Sequence, residues 1–382
     1  MPEKHALLSA SSAERWLNCP PSARICAEKP DTESPYAKEG TLAHAICEVK
    51  LYGFFSAAPK KTITSKLNKL KKDKLYQPEM DGYTDDYTDY VKKIALSFSS
   101  KAHAAVERRV DYSNYAPEGF GTADCIIVHG EELHIIDFKY GKGVPVSAEN
   151  NSQLKLYALG AYQQYGLFYP IKNITLHIVQ PRINNFSEWA TTLEELTKWG
   201  DSIKPAAQLA FEGGGEFHSG EHCRFCKING TCRKRCEECL SAEQDFGYRR
   251  PPELTDEEVG KVLEHSRFLK KWAEDIEKYA LSAILDGKKI EGWKAVEGRG
   301  SRQYTDTEKI PQRLEAAGYS SEMAFKREML TPPQLEKVIG KKDFTEIFAD
   351  LVEAVKGKPT LAHISDSRPE YIKGTSAQED FK

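Results

Sequence analysis

Two short runs, GTADCIIVH (121–129) and ELHIIDFKY (132–140), flank Gly130-Glu131 and constrain the fold more than any other feature of the chain. Alternation at period two reads as strands, and a two-residue linker containing glycine reads as a tight hairpin turn. Aspartate is a poor strand former, yet Asp124 and Asp137 interrupt these runs, the latter amid Leu133, Ile135, Ile136 and Phe138. Asp137 and Lys139 are two residues apart, so their side chains leave the same face of the strand. The turn puts Asp124 roughly opposite Asp137, within a residue or two of register.

Two carboxylates about 4 Å apart repel by ~4 kcal/mol at an effective dielectric of about 20, a cost that a bound divalent cation removes. Mg²⁺ favours one or two carboxylates plus waters and substrate phosphate, and it can activate water for attack on phosphorus. Lys139 supplies further positive charge, to orient that water or to stabilise the transition state. A plainer arrangement fits the same residues, with Asp124 and Lys139 as an edge salt bridge and Asp137 solvated, because a D…DxK pattern is loose by itself.

The surrounding pattern is helical on both sides. Residues 9–28 read as a short capped helix through Trp16 that ends at Cys19-Pro20-Pro21, and 38–54 and DDYTDYVKKIALSFSSKA read as two more. Between those two lie Lys60, Lys61, Lys66, Lys69, Lys71, Lys72 and Lys74, which serve equally well as a phosphate-facing patch or as a solvated helix face. VERRVDYS reads as a strand before the hairpin, NNSQLKLYALGAYQQYG (150–166) as an amphipathic helix and NITLHIVQPRI as a further strand. A helix over roughly 192–212 ends at Gly213-Gly214-Gly215, and a long charged helix runs from Thr255 to about Leu285. Shorter helices follow around 308–317 and 332–356, GRGSR (298–302) reads as a tight loop, and the tail from Gly374 is polar. The pattern predicts an α/β chain: a small mixed sheet flanked by helices in residues 1–246, with 59–105 as a helical, basic insertion and 247–382 mainly helical.

With 382 residues, 40% of them hydrophobic, the chain can bury a sizeable core. MPEKHALLSASSAERW has no apolar run after its charges, and no later stretch approaches the ~18 apolar residues of a membrane span, so a cytoplasmic protein without a membrane partner is expected. The formal net charge of −3 argues against a chain that coats nucleic acid by bulk charge. Of nine cysteines, five lie between Cys223 and Cys239, which suits metal binding in a reducing compartment better than a disulfide framework. Cys223, Cys226, Cys236 and Cys239 form C-x2-C-x9-C-x2-C, which could hold a tetrahedral Zn²⁺. Arg224, Lys227, Arg233, Lys234 and Arg235, interleaved with them, could offer cations to phosphates or simply face solvent. Cys26, Cys47 and Cys125 read as buried small apolar residues.

GTADCIIVHGEELHIIDFKYGKG followed by NNSQLKLYALGA resembles the G-x-x-D, D-x-K and Q-x-x-x-Y motifs of the RecB-like branch of the PD-(D/E)XK nucleases, in order and at family-like spacing. The resemblance implies a restriction-endonuclease-like core, with Asp124 and Asp137 as metal ligands, Lys139 as the catalytic lysine, and Gln153 and Tyr157 as a helix pair at the active-site edge. Gly40-Thr41-Leu42-Ala43-His44 matches the family's G-x-x-x-H pattern and implies His44 as an additional metal ligand, although a lone helical histidine is more often an ordinary core or surface residue. Glu107 matches the acidic residue of the first strand, and its role stays open. Cys19 with Cys223, Cys226 and Cys232 is similar to the [4Fe-4S] site of RecB-like nucleases in the AddB and CRISPR-adaptation groups, one N-terminal cysteine joining three C-terminal ones. This set shares ligands with the zinc set, so both cannot be complete. Residues beyond 246 resemble the C-terminal part of a phage and prophage family that carries the same motifs. The resemblance implies a Mg²⁺- or Mn²⁺-dependent deoxyribonuclease, an exonuclease in phage recombination or replication. Its partners would be DNA and, since G-x-x-x-x-G-K-[ST] is absent, a separate helicase or single-strand annealing protein. A DNA-binding or assembly module that keeps the fold without turnover, or a zinc-stabilised regulator, are the competing readings.

Overall fold

In the computed structural model, residues 6–30, 35–56, 58–246, 255–296 and short stretches of 306–352 are described. The chain is a mixed α/β protein. Helices α1 (Ala13–Asn18), α2 (Ser22–Ala27), α3 (Pro35–Phe55), α4 (Lys60–Leu70) and α5 (Glu79–Ser97) precede a five-stranded sheet in the order β1 (His103–Asp111), β2 (Phe120–His129), β3 (Glu132–Phe138), β4 (Asn173–Gln180), β5 (Asn185–Thr192). The β1–β2, β2–β3 and β4–β5 pairs are antiparallel, and β3–β4 is parallel, so the chain must cross over between them through α6 (Ser152–Tyr165). His129 pairs with Glu132 across Gly130-Glu131, where Gly130 has φ 56°, the positive value that a two-residue hairpin needs.

Each face of the sheet buries a separate core. Ile126, Val128, Leu133 and Ile135 pack beneath α6, α1 and α7 (Leu193–Glu212), whereas Ile127, Ile136 and Phe138 meet α3 and α5 on the other side. Helix α6 differs from the amphipathic expectation, because 10 of its 14 residues are buried. It is covered on its outer side by α1 and α7, so its polar residues are spent on internal partners rather than on water. Lys155, for example, donates to Asn150 Oδ1 at 2.9 Å and lies between the rings of Trp189 and Trp199. Strand β5 is an addition to the sequence reading. It is an edge strand exposed at alternate positions, and Ser187, Glu188 and the threonines mask its pattern.

Helix α7 begins with a capping box, Thr192 and Glu195 bonding reciprocally at 3.2 and 3.1 Å, and ends at Gly213 with φ 81°. The cysteine loop follows, then α8 (Arg233–Phe246) and α9 (Asp256–Leu285). The chain separates into two compact units, 1–296 and 297–382, so the boundary expected after residue 246 falls inside the first unit. Arg235 of α8 is buried against Asp275 of α9 at 2.8 Å, which ties the long helix to the cysteine loop. In the second unit, α10 (Lys309–Ala316) and α11 (Lys341–Phe348) are described, while GRGSR and the tail from Gly374 lie outside the described residues. Among the described residues no helix is long and apolar enough to cross a membrane.

Candidate functional site

The β1–β2 ladder opens at one place. Val106 pairs with Cys125 and Arg108 with Ala123, but the intervening Glu107 and Asp124 do not pair, and Glu107 has φ 47°. Side-chain alternation reverses across this gap on both strands. Ala123 shares a core with Ile126 and Val128 although Cys125 lies on the opposite face, and Val110 shares that core although Val106 does not. A left-handed backbone at a non-glycine residue is strained, and such strain persists where surrounding structure enforces it. The gap replaces ladder bonds with side-chain chemistry: the backbone N–H of Phe138 donates to Asp124 Oδ2 at 2.7 Å. The register Cys125↔Ile136, continued by one residue, sets Asp124 opposite Asp137.

Five elements, α3, β1, β2, β3 and α6, converge on this opening. His44 of α3 places Nδ1 3.3 Å from Asp124 Oδ1 and 3.9 Å from Glu107 Oε1. His44, Glu107 and Asp124 are the group among the described residues whose ligand atoms all lie within 4.8 Å of one another. On β3, Asp137 Oδ2 lies 3.0 Å from Lys139 Nζ, which also donates to Gln153 Oε1 at 3.1 Å. Gln153 Nε2 in turn reaches Asp137 Oδ1 (3.2 Å) and Tyr157 Oη (3.3 Å). The i, i+4 spacing on α6 thus becomes a working pair, and Gly121 makes room for it, since a Cβ there would stand 2.8 Å from the Tyr157 ring. The edge salt bridge between Asp124 and Lys139 is not the arrangement found: Asp124 pairs with His44, and Asp137 is 3% exposed rather than solvated.

The electrostatics describe a site with surplus negative charge. Burial, only partly offset by Lys139 and reinforced by Asp124, lifts the Asp137 carboxyl to about 6. Burial and then Asp124 lift Glu107 to about 7. Burial opposes ionisation of Asp124 as well, but the His44 charge, the Phe138 N–H and Lys139 outweigh it and hold its pKa below the usual carboxylate range. Burial also disfavours the His44 cation, yet Asp124, Asp137 and Glu107 together raise it to about 9. Carboxylates that retain protons near neutrality beside a histidine that holds one form a site where a divalent cation can displace protons. Carboxylate donors suit Mg²⁺ or Mn²⁺, an imidazole nitrogen beside them favours Mn²⁺ of the two, and His44 and Glu107 keep 32% and 29% of their side chains open to solvent.

The cysteines gather elsewhere, between the N-terminal helices and the loop after α7. Cys19, Cys223, Cys226 and Cys232 line one small cavity together with Ser22 and His222. Ser22 is 2% exposed and its Oγ has no hydrogen-bond partner among the described residues. Cys26 requires a correction. It is buried, but its sulfur is not an apolar filler: it lies 3.7 Å from Cys226 Sγ and accepts from Lys227 N at 3.4 Å. Cys47 and Cys125 are buried in the core beside α3. Cys236 and Cys239 do not line the cavity, and among the described residues no three cysteine sulfurs lie within 4.8 Å of one another. Zn–S bonds of ~2.3 Å in a tetrahedron require sulfurs about 3.8 Å apart, whereas a multi-iron cluster spreads its ligands more widely. Of the interleaved cations, Arg235 is committed to Asp275, and Lys227 Nζ to the carbonyl of Lys29 at 2.9 Å.

Residues 5–369 match the model of a protein family described as "Protein of unknown function (DUF2800)". The chain belongs to the DUF2800 family. The crystal structure of a protein designated SSO0001 is also similar, at 14% identity and a TM-score of 0.25, over 58% of this chain and 96% of that one.

In this DUF2800 protein, His44, Asp124, Asp137, Lys139, Gln153 and Tyr157, all singled out from sequence, are brought to one recess. Glu107, whose role the sequence left open, joins them as a third acidic group. The signal for it was present but disguised: a glutamate amid alternating residues on β1 takes its meaning from a backbone kink that no pattern displays. Cys26 was missed because its partner is two hundred positions away.

Proposed function

We propose that this DUF2800 protein is a metal-dependent DNA nuclease of the RecB-like PD-(D/E)XK kind. The observation that carries this reading is the convergence of a histidine, three carboxylates and a lysine from α3, β1, β2 and β3 on the opened ladder. His44, Glu107, Asp124 and Asp137 would hold Mg²⁺ or Mn²⁺, which supplies Lewis acidity and lowers the pKa of a bound water. Lys139, held by Asp137 and Gln153, presents its ammonium to the scissile phosphate, where it orients the attacking water and balances developing negative charge. Gln153 fixes the Asp137 and Lys139 head groups relative to each other, and Tyr157 fixes Gln153. The one parallel pair in a small mixed sheet, reached through a helix bearing Gln153, supports a restriction-endonuclease-like core.

Cys19, Cys223, Cys226 and Cys232 would bind a [4Fe-4S] cluster that clasps the start of the chain to the loop after the sheet, a structural role. The activity proposed is exonuclease action in phage recombination or replication in the bacterial cytoplasm, with a helicase or annealing protein as partner. Purified without oxygen and incubated with Mn²⁺, the protein should degrade linear or circular, single- or double-stranded DNA, and Asp137→Asn should not. If no substrate shows cleavage that depends on Asp137, the chain is a binding or assembly module and the enzyme reading fails.

A further inference from the structure

A second pocket lies where the cysteine loop meets α9, lined by Glu221, Arg224, Arg235, Arg267, Phe268 and Lys271. Its walls are fixed. Arg235 is 1% exposed and donates Nη1 to Asn229 O (3.0 Å) and Asp275 Oδ2 (2.8 Å). Gly230 approaches α9 so closely that a Cβ would stand 2.6 Å from the Asp275 carbonyl oxygen. Two of the four cations are already balanced, Arg235 by Asp275, and Lys271 by Asp275 (3.3 Å) and Glu274 (3.5 Å). Arg224 and Arg267 have no carboxylate partner among the described residues, and Glu221 opposes only part of their charge, which leaves the pocket net positive.

The buried Arg235 Nε has no hydrogen-bond partner among the described residues. A buried guanidinium N–H without an acceptor is costly, so in most proteins such groups are satisfied. Guanidinium forks match the spacing of phosphate oxygens, and charge-assisted bonds to phosphate are among the strongest that a side chain makes. We propose that this pocket binds a phosphate group, with the exposed Arg224 and Arg267 as its donors beside the fixed Arg235 guanidinium. The site stands apart from the carboxylate recess and does not depend on the nuclease reading. The phosphate can be carried by a DNA strand or by a free nucleotide, and the test separates the two.

With EDTA present to prevent cleavage, binding of a 3′-labelled single-stranded 12-mer with and without a 5′-phosphate is followed by fluorescence anisotropy, with thymidine monophosphate and inorganic phosphate as competitors. The double variant Arg224→Gln/Arg267→Gln should weaken binding of the phosphate-bearing probes by about tenfold or more at unchanged melting temperature. Arg224→Lys/Arg267→Lys, which keeps the charge, folds under the same constraints and should recover part of the affinity. Displacement of the oligonucleotide by thymidine monophosphate identifies a pocket for free nucleotides, and its failure to compete identifies one for strands. If the wild-type chain binds neither oligonucleotide nor nucleotide, or if both double variants bind as wild type does, the pocket is not a phosphate site.

Discussion

Gln153 does the work of three residues in the carboxylate recess. Its amide oxygen accepts from Lys139, and its amide nitrogen donates to Asp137 and meets the Tyr157 hydroxyl. Leucine has nearly the same size but offers neither group, so Gln153→Leu leaves Asp137 Oδ1 and Lys139 Nζ each short of a bond without opening a large cavity. Groups that orient metal ligands typically contribute 10–100-fold, so we expect the DNA cleavage rate at saturating Mn²⁺ to fall by about that factor. Asp137→Asn should cost far more, because it removes the charge of a proposed metal ligand and the partner of Lys139 together. Single-turnover rates on one linear substrate check the order. Equal loss in the two variants would mean that Gln153 maintains the fold instead of the geometry of the pair.

At the scale of elements, α6 and the sheet set both what can change and what pH does. Gly160 faces β1 so closely that a Cβ would lie 2.9 Å from Val110 Cβ and 3.0 Å from Asp111 O. Alanine in a helix gains ~1 kcal/mol over glycine, whereas overpacking costs ~1–3 kcal/mol, so Gly160→Ala should destabilise by up to about 2 kcal/mol in urea unfolding. On the other face, His177 of β4 is 1% exposed, with Tyr90 Oη and His134 Nδ1 each 3.0 Å from its ring nitrogens. Glu188 approaches Nδ1 at 3.6 Å from an exposed position, but burial, then His134, dominate and hold the His177 pKa near about 3. The unfolded chain takes up this proton as pH falls below about 6.5, and the folded chain refuses it until far lower. Stability should therefore be insensitive to His177 above about pH 7 and fall by up to a few kcal/mol toward pH 4. His177→Gln should flatten that slope in denaturation measured across the window. The sequence revealed the hairpin, its two aspartates and α6 because their patterns are local. It concealed β5, whose exposed polar edge resembles a loop, and the burial of α6, which depends on α1 and α7 arriving from distant positions.

For the molecule as a whole, the decisive contacts join its beginning to the loop after α7. Arg24 Nε donates to Phe211 O at 2.6 Å, Lys227 Nζ to Lys29 O at 2.9 Å, and Cys26 meets Cys226, while Cys19, Cys223 and Cys232 line the same cavity. A link between positions 19 and 223 closes a loop of about 200 residues, for which the chain-entropy model gives about 5 kcal/mol of stabilisation. Neutral hydrogen bonds at the same junction contribute only ~1 kcal/mol each, so the proposed cluster would be the larger part of the clasp. Removing one of its ligands should therefore lower the melting temperature far more than removing a thiol that lies outside the cavity. Cys19→Ser and Cys232→Ser should lose iron, the absorbance near 400 nm and much of the thermal stability, whereas Cys236→Ser and Cys239→Ser should retain all three. The zinc arrangement predicts the reverse pattern, since Cys236 and Cys239 are its ligands and Cys19 and Cys232 are not. Elemental analysis of the four variants beside the wild-type chain distinguishes the two, and zinc without iron in a colourless wild-type protein would overturn the iron–sulfur assignment. The proposed metal ligands His44, Glu107, Asp124 and Asp137 come from α3, β1, β2 and β3, and none of these elements carries a cavity cysteine. Cleavage per folded molecule in the Cys232→Ser variant should thus stay within a few-fold of wild type at low temperature, even as its lifetime at 37 °C collapses.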